Sequence, residues 1–247
     1  GIRLGVLNFA TGESAAIYAQ FQNALSELEA AGAILVLIDE RPPQPDKLGS
    51  LSYDILKYEF KDGINAYLAS TDEEQVSTRS LESLIAFNTE RSDIELALFD
   101  QSIFVESQAM GSLDSKEYQS ALSIVQSASR EEGIDQLLKE YSVQALVSPS
   151  GVIAPRVDPI NGDVWPNGWP GYGSHAARAG YPHITIPMGT VHTLPIGLSF
   201  IGTANADADI LAYAYAYEQQ SLRRPDPQYL EEAEALPTIA EAMSASN

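Results

Sequence analysis

The sequence predicts an α/β protein with a mixed sheet covered by helices, and three apolar patterns indicate this class. Arg3 to Phe9 and Ala33 to Ile38 are short apolar runs on either side of a helical pattern, which is typical of a parallel βαβ unit. Further along, His183 to Met188 and Ile196 to Ile201 are apolar runs joined by a turn that contains glycine and proline. Because these runs are continuously apolar, we expect the first strand and the later pair to lie in one sheet covered on both faces.

The helices are predicted from apolar residues that recur every three or four positions. The first begins after Ser14 and ends before Gly32, at a position suited to a left-handed residue. A second pattern, from Leu51 to Ala69, carries a stripe of apolar side chains: Leu56, Phe60, Ile64, Tyr67 and Leu68. Further helices are predicted at Leu81–Phe87, after Asp114-Ser115, at Ile134–Tyr141, and after a cap at Asn205 or Asp207.

These patterns divide the chain into three parts. We interpret residues 1–222 as one α/β portion, within which residues 50–141 form a helical insertion or subdomain. Residues 223–247 are rich in proline and glutamate and are predicted to be a tail. The chain shows no internal repeat.

The composition excludes several classes of function. With 34 acidic against 14 basic residues, the net charge of -20 disfavours nucleic-acid and membrane-surface partners. The chain contains no cysteine, which excludes disulfides, thiolate nucleophiles and cysteine-based metal sites. No apolar run approaches the roughly 20 residues of a membrane helix. We expect a soluble protein, and we favour the cytoplasm over secretion although the compartment is not fixed.

Residues 149–174 form the segment most suited to ligand binding. They contain five glycines, five prolines and both tryptophans of the chain, and they lack a periodic pattern. Long loops of this kind are usually binding segments or disordered, and the aromatic residues argue against disorder. We therefore predict that these residues form a wall of a substrate cleft: Ser150, Trp165, Trp169, Tyr172 and Ser174. The alternative is a loop that only covers the core.

No residue of the chain is predicted to be catalytic, and no metal or cofactor is expected. The three histidines, His175, His183 and His192, are eight and nine residues apart, which matches no zinc motif. Ser174 precedes His175 outside any Gly-x-Ser-x-Gly elbow, and neighbouring residues of a helix point about 100° apart. The first strand lacks a dinucleotide-binding glycine pattern after it.

Five collinear segments resemble the amidase signature family. The run Ala-Ala-Arg-Ala-Gly-Tyr-Pro-His-Ile-Thr-Ile-Pro-Met-Gly, residues 176–189, resembles the segment near the carboxyl end of these enzymes. It is followed by a strand and a helix that also resemble the family, Leu194–Gly202 and Ile210–Gln219. Upstream, similar stretches occur at residues 135–150, at 58–68 and at 1–7. The resemblance therefore covers nearly the whole chain and implies the carboxyl-terminal part of an amidase-signature-like fold.

The resemblance also implies a chemistry for which this chain lacks the residues. In the family a serine attacks the carboxamide, a second serine links it to a lysine base, and an acyl-enzyme forms. No such Gly- and Ser-rich stretch exists here. Lys61-Asp62 looks like the family's lysine motif, but its neighbours place it in the later helical stretch. The expected partners are therefore a missing amino-terminal catalytic half and a small-molecule or peptide amide substrate, since the loop resembles family members that act on amidated peptides.

Three hypotheses follow from these observations. In the first, the chain is a carboxyl-terminal fragment of a C–N hydrolase and is inactive alone; an amidotransferase subunit is less favoured because its tRNA partner is anionic. The second is a catalytically silent amidase-like binding or regulatory protein. The third is an unrelated α/β domain that binds a small ligand. The fragment hypothesis further predicts an exposed apolar surface and self-association in solution.

Overall fold

Five strands form one mixed sheet in the computed structural model, which describes residues 1–155, 162, 164–227 and 229. The strands are β1 (Arg3–Leu7), β2 (Ile34–Ile38), β3 (Ala145–Pro149), β4 (His183–Val191) and β5 (Leu194–Ile201). Their order is β2-β1-β3-β5-β4. β1 runs parallel to β2 and β3, whereas β5 is antiparallel to β3 and β4. The prediction that the first strand and the later pair share one mixed sheet is confirmed.

The amino-terminal βαβ unit forms for local reasons that the sequence displays. Ser14 caps helix α1 (Ala15–Ala30) by accepting a hydrogen bond from the backbone N–H of Ile17. The apolar residues at helical spacing are buried against the sheet. Gly32 then takes a φ of +91°, which a glycine adopts without steric cost, and the chain turns into β2.

The carboxyl-terminal hairpin is longer than predicted. Its strands extend to Val191 and from Leu194, so the turn shrinks to His192 and Thr193. The register shifts between Pro187 and Gly189, where Gly189 has a φ of +141°. This irregularity accommodates a proline inside β4 because a bulge interrupts the hydrogen-bond ladder.

The remaining helices occur where periodic patterns predict them, with additional short ones. They are α2 (Leu48–Ser70), α3 (Leu81–Glu90), α4 (Ser92–Glu95), α5 (Ser102–Gln108), α6 (Lys116–Ser129), α7 (Asp135–Glu140), α8 (Gly173–Ala179) and α9 (Asp207–Ser221). Ser115 caps α6. The predicted cap of α9 is wrong, because Ala206 precedes that helix without a side-chain hydrogen bond. None of the helices in the described part of the chain is long and apolar enough to span a bilayer.

Helices cover both faces of the sheet. α1 and α9 enclose one core with Val6, Val147 and Phe200 at its centre. α7 and α8 cover the other face, where Leu7 and Leu146 are buried. α2 and α6 pack together as a further layer with their own small core, and α6 contacts α8. Within the predicted helical stretch, α2 and α6 thus form an outer layer, whereas α7 packs on the sheet itself.

The buried face of α2 differs from the predicted stripe. Ile55 and Leu68 are buried, whereas Leu56 and Tyr67 are 58% and 64% exposed. The reason is that α2 contacts α6 along one side and α5 along another, where Phe60 packs on Phe104. A helix held between two partners does not bury the single face that a sequence stripe suggests.

A π turn, Arg130–Ile134, connects α6 to α7. Gly133 is required inside it, since a Cβ there would lie 2.6 Å from the carbonyl oxygen of Ala128. Ile134 at the end of this turn and Leu137 after it join the core beneath the sheet rather than the core of α2 and α6. Most of the predicted tail, residues 228 and 230–247, lies outside the described residues.

Candidate functional site

The parallel strands β1, β2 and β3 have their carboxyl ends on the same side of the sheet, and the loops that follow them meet there. The side-chain amide of Asn8, after β1, donates to Asp39 Oδ1 after β2 at 2.8 Å. The backbone N–H of Gly171, in the long loop after β3, donates to the carbonyl oxygen of Ala10 at 2.7 Å. Loops at the carboxyl ends of parallel strands are the usual location of ligand sites in α/β folds.

Glycines allow these loops to approach closely. Gly12 has a φ of +72°, and a Cβ on it would lie 2.5 Å from the carbonyl oxygen of Gly168. Gly171 has a φ of +101°, and a Cβ there would lie 2.8 Å from the carbonyl oxygen of Pro149. A side chain at either position would push the loops apart, so the backbone itself fixes the position of residues 164–172, here called the aromatic loop.

The aromatic loop presents two tryptophans to solvent beside the end of β3. Trp165 and Trp169 are each 55% exposed, and their ring centroids are 5.4 Å apart. An ideal Cβ on Gly151 would be 3.6 Å from the ring of Trp169, so this ring packs over the residue that follows Ser150 in the chain. The two predicted tryptophans are therefore neighbours, and Trp169 lies against the backbone just after Ser150. Exposed, adjacent indole rings offer an apolar face for a ligand.

Ser150 is joined to two polar side chains that sequence reasoning did not assign to the site. Its backbone N–H donates to the carbonyl oxygen of Gly197 at 2.8 Å, which seats it against β5. Its hydroxyl oxygen lies 2.8 Å from Ser199 Oγ, within hydrogen-bond distance. The Nε2 atom of His183 lies 2.7 Å from the same Ser199 Oγ. A chain of three hydrogen-bonding groups thus runs from β4 through β5 to the end of β3.

Two more glycines make room for this chain. A Cβ on Gly197 would lie 2.3 Å from Thr185 Cγ2 and 2.9 Å from Ser150 Oγ. A Cβ on Gly173, the first residue of α8, would lie 2.7 Å from Cε1 of His183. The sequence therefore provides space for the polar chain from both sides, at positions where the backbone is otherwise regular.

The polar chain runs from the protein surface into the sheet. His183 is exposed, Ser150 is half-buried and Ser199 is fully buried. The covered part of the imidazole loses solvation, which lowers the pKa of His183, so its neutral form predominates near pH 7. A neutral imidazole carries one N–H donor and one acceptor nitrogen, which suits it to orient a hydroxyl rather than to carry charge.

Tyr172 packs beneath the aromatic loop instead of facing solvent. Its side chain is 1% exposed and stacks on His175, with ring centroids 3.9 Å apart. Burial raises the pKa of Tyr172 to about 12 and lowers the pKa of His175 to about 4. His175 also hydrogen-bonds to the side chain of Gln44. In this arrangement the two rings anchor the loop to the core.

Ser174 lies near a different cleft. It lines a cavity of about 450 Å3 between α2, α6 and α8, together with Arg130 and Arg178. Its Oγ is 3.5 Å from Nδ1 of the adjacent His175, at the limit of a hydrogen bond. Ser174 therefore borders the cleft between these helices, which Ser150 and the tryptophans do not line.

Lys61 has a structural role at the end of α5. Its ammonium group donates to the carbonyl oxygens of Gln108 at 2.9 Å and Met110 at 2.6 Å. These carbonyls have no helical partner because α5 ends there. The placement agrees with the interpretation that Lys61 belongs to the later helical stretch. Within the described residues, no cluster of three His, Asp or Glu side chains could hold a metal ion.

Comparison with known proteins identifies the family. The family model described as amidase matches residues 1–211. This chain belongs to the amidase signature family. The hypothesis of an unrelated ligand-binding domain is therefore wrong.

The amidase signature chain is similar to both curated and solved relatives. It is 30% identical to a probable amidase of Arabidopsis thaliana over 174 residues, which cover 70% of this chain and 30% of the plant protein. It is 37% identical to a peptide amidase solved with the competitive inhibitor chymostatin, at a TM-score of 0.81, covering 91% of this chain and 45% of that one. It is 35% identical to the native peptide amidase of Stenotrophomonas maltophilia, at a TM-score of 0.81, covering 94% of this chain and 45% of that one. The chain thus spans less than half the length of these relatives.

Proposed function

We propose that this chain is the carboxyl-terminal part of a serine amidase that hydrolyses the C–N bond of carboxamides. One observation carries the proposal: the fold of peptide amidases extends over 91% of this chain but the chain covers only 45% of theirs. The Gly- and Ser-rich stretch that holds the nucleophile in the resembled family has no counterpart in this sequence. The partner would be a segment that carries the two serines and the lysine.

In the intact enzyme, a serine of that segment would attack the carboxamide carbonyl, release ammonia, and leave an acyl-enzyme that water then hydrolyses. The present chain would contribute a wall of the substrate cleft. We assign this role to Ser150, Trp165 and Trp169, because the two indole rings are exposed side by side and Trp169 packs against Gly151, the residue after Ser150. The indole rings favour an apolar side chain next to the scissile amide. A peptide amide is therefore the proposed substrate class.

Open apolar surface on the described part supports a larger parent. β2 lies at an edge of the sheet, yet Leu37 on it is 60% exposed. Strands of a parallel sheet are normally covered on both faces, so a further element is needed to bury this side chain. We propose that the catalytic segment covers it.

The test is ammonia release from a carboxyl-terminally amidated dipeptide. The purified chain alone should give no turnover above background, and addition of the Gly- and Ser-rich half of a peptide amidase, as a separate chain or a fusion, should restore it. Ser150→Ala should weaken the restored activity, whereas Ser174→Ala serves as the control because it lies at another cleft.

Two results would contradict the proposal. Turnover by the chain alone that Ser150→Ala abolishes would mean that the nucleophile lies in this chain. Tight amide binding without turnover in any combination would favour the second hypothesis, a catalytically silent binding or regulatory protein.

A further inference from the structure

His183, Ser199 and Ser150 form a continuous polar chain on the face of the sheet beneath α8. In β5, even-numbered residues such as Leu198 and Phe200 enter the core of α1 and α9, whereas odd-numbered residues face the opposite side. Ser199 pairs with Thr185 and Ser148 in the register, so the hydroxyls of three strands lie on one face. Of this row, Ser148 and Ser199 are fully buried, so their hydroxyls must be satisfied by hydrogen bonds.

Counting protons leaves two directions for this chain. Ser199 has one hydroxyl proton, so it donates to one neighbour and accepts from the other. If it donates to Ser150, the neutral imidazole of His183 carries its proton on Nε2, and the hydroxyl proton of Ser150 is available to an acceptor outside the chain of three. If it donates to His183, the imidazole carries its proton on Nδ1, and Ser150 donates to Ser199.

We propose that His183, Ser199 and Ser150 form a one-way hydrogen-bond relay that turns the Ser150 hydroxyl into a polarised donor for the carbonyl oxygen of a bound carboxamide. Each bond in a chain of donors strengthens the next, so the terminal hydroxyl donates better than an isolated serine. The identity of the ligand rests on the proposed function, whereas the relay itself does not. Ser199 and His183 are positioning residues, and Ser150 is the group that contacts the ligand.

The surroundings support this assignment over a purely structural one. Ser150 is half-buried, Trp169 packs over the next residue, and the Ser150 hydroxyl proton has no acceptor among the described residues beyond the chain of three. Gly173 and Gly197 leave room for the imidazole and the hydroxyl although neither has a positive φ that would require glycine. Burial is the only cause of the lowered pKa of His183 in the described part of the chain, and no charged side chain contributes.

The first experiment reads the direction of the relay without any ligand. Nitrogen-15 NMR of the full chain should show neutral His183 protonated on Nε2. In Ser199→Ala the pKa of His183 should fall further, because an oxygen that accepts from Nε2–H stabilises the imidazolium more than the neutral ring. Ser148→Ala is the matched control, since it removes an equally buried hydroxyl that donates to the carbonyl oxygen of Pro149 instead. A rise of the pKa in Ser199→Ala would overturn the proposal, since Ser199 would then donate to His183.

The second experiment measures binding of an amidated dipeptide by tryptophan fluorescence, because both tryptophans of the chain lie in the aromatic loop and Trp169 packs over the residue after Ser150. Ser150→Ala and Ser199→Ala should each weaken binding about 3- to 10-fold, the range of one net hydrogen bond. His183→Gln keeps an N–H donor and should retain most of the affinity, whereas His183→Leu should lose as much as Ser199→Ala.

The remaining outcomes are distinguishable. Wild-type affinity in Ser199→Ala would overturn the relay even if the restored amidase activity is present. No response to the dipeptide in the wild type would overturn the carboxamide as the ligand, while a failure of restored turnover with binding intact would contradict only the proposed function.

Discussion

Replacing Gly197 with alanine places a methyl group where two side chains already lie. The added Cβ would be 2.3 Å from Thr185 Cγ2 and 2.9 Å from Ser150 Oγ, both well inside van der Waals contact. Gly197 and Ser150 are half-buried and Thr185 is exposed, so rotation of Thr185 relieves part of the clash. The cost is therefore about 1 kcal/mol, the lower end of the range for overpacking. For a domain of this size, that corresponds to a decrease in melting temperature of about 2–4 °C. Thermal unfolding followed by circular dichroism measures this decrease.

The same substitution elsewhere in the chain provides the control. Gly63 lies within α2 with nothing within 4 Å of its added Cβ. Gly63→Ala should therefore stabilise the chain by about 0.5–1 kcal/mol, because alanine loses less backbone entropy in a helix. Two identical chemical changes should shift the melting temperature in opposite directions.

A second substitution isolates the cause. Thr185→Ser removes the Cγ2 methyl group that the added Cβ would meet. The double variant with Gly197→Ala should therefore be more stable than the sum of the two single changes in unfolding free energy predicts. If Gly197→Ala is as stable as the wild type, or if Thr185→Ser brings no recovery, the steric account of this site is refuted.

Three further predictions concern a buried histidine, a lysine and an edge strand. The pKa of His175 is about 4 in the folded chain against about 6.5 when unfolded, so stability should be lost as the pH falls from about 6.5 to about 4, by about 3 kcal/mol. Urea unfolding across this range should show a smaller loss in His175→Gln, and an equal loss would contradict burial as the cause. Lys61→Met should lower stability by about 1–2 kcal/mol by removing donors from two carbonyls. It should leave the fluorescence response to the dipeptide unchanged; a lost response would assign Lys61 to ligand binding. Leu37→Lys on β2 should reduce self-association measured by sedimentation velocity. A wild type that is monomeric at high concentration would refute association through the exposed apolar surface of β2.

Local signals made most of the fold predictable. The βαβ unit is specified by a capping serine, a helical stripe and a glycine within less than 40 residues, and each acts on its own neighbours. The burial of α2 was not predictable in the same way. Leu56 and Ile55 are adjacent and both apolar, and only the position of α6 and α5 decides which of them is covered.

The candidate site was predictable only in part, because half of it depends on strand register. Ser150 and the tryptophans are marked by an aperiodic loop, which the sequence displays directly. Ser199 and His183 sit in strands that otherwise look like core, and antiparallel pairing brings them to Ser150. The available signal was the alternation of Gly197 and Ser199 with large apolar residues, which indicates a polar face. The directions of the Tyr172 and Ser174 side chains depend on the residue at which α8 begins, and no local sequence signal determines that residue.

The π turn between α6 and α7 changes the phase of a nearly continuous helix. Tyr118, Val125 and Ala128 keep one face of α6 toward α2, and a regular helix would next turn Glu132 to that side. Each residue of a helix advances the direction of its side chain by about 100°, so deleting Gly133 would rotate all that follows by that angle. Leu137 would leave its core, and Asp135 would lose the hydroxyl of Tyr181, 2.6 Å away. A change of one residue in the length of the π turn is therefore more damaging than most substitutions. Insertions between α4 and α5 would instead leave the core of α2 and α6 aligned with the core beneath α7 and α8.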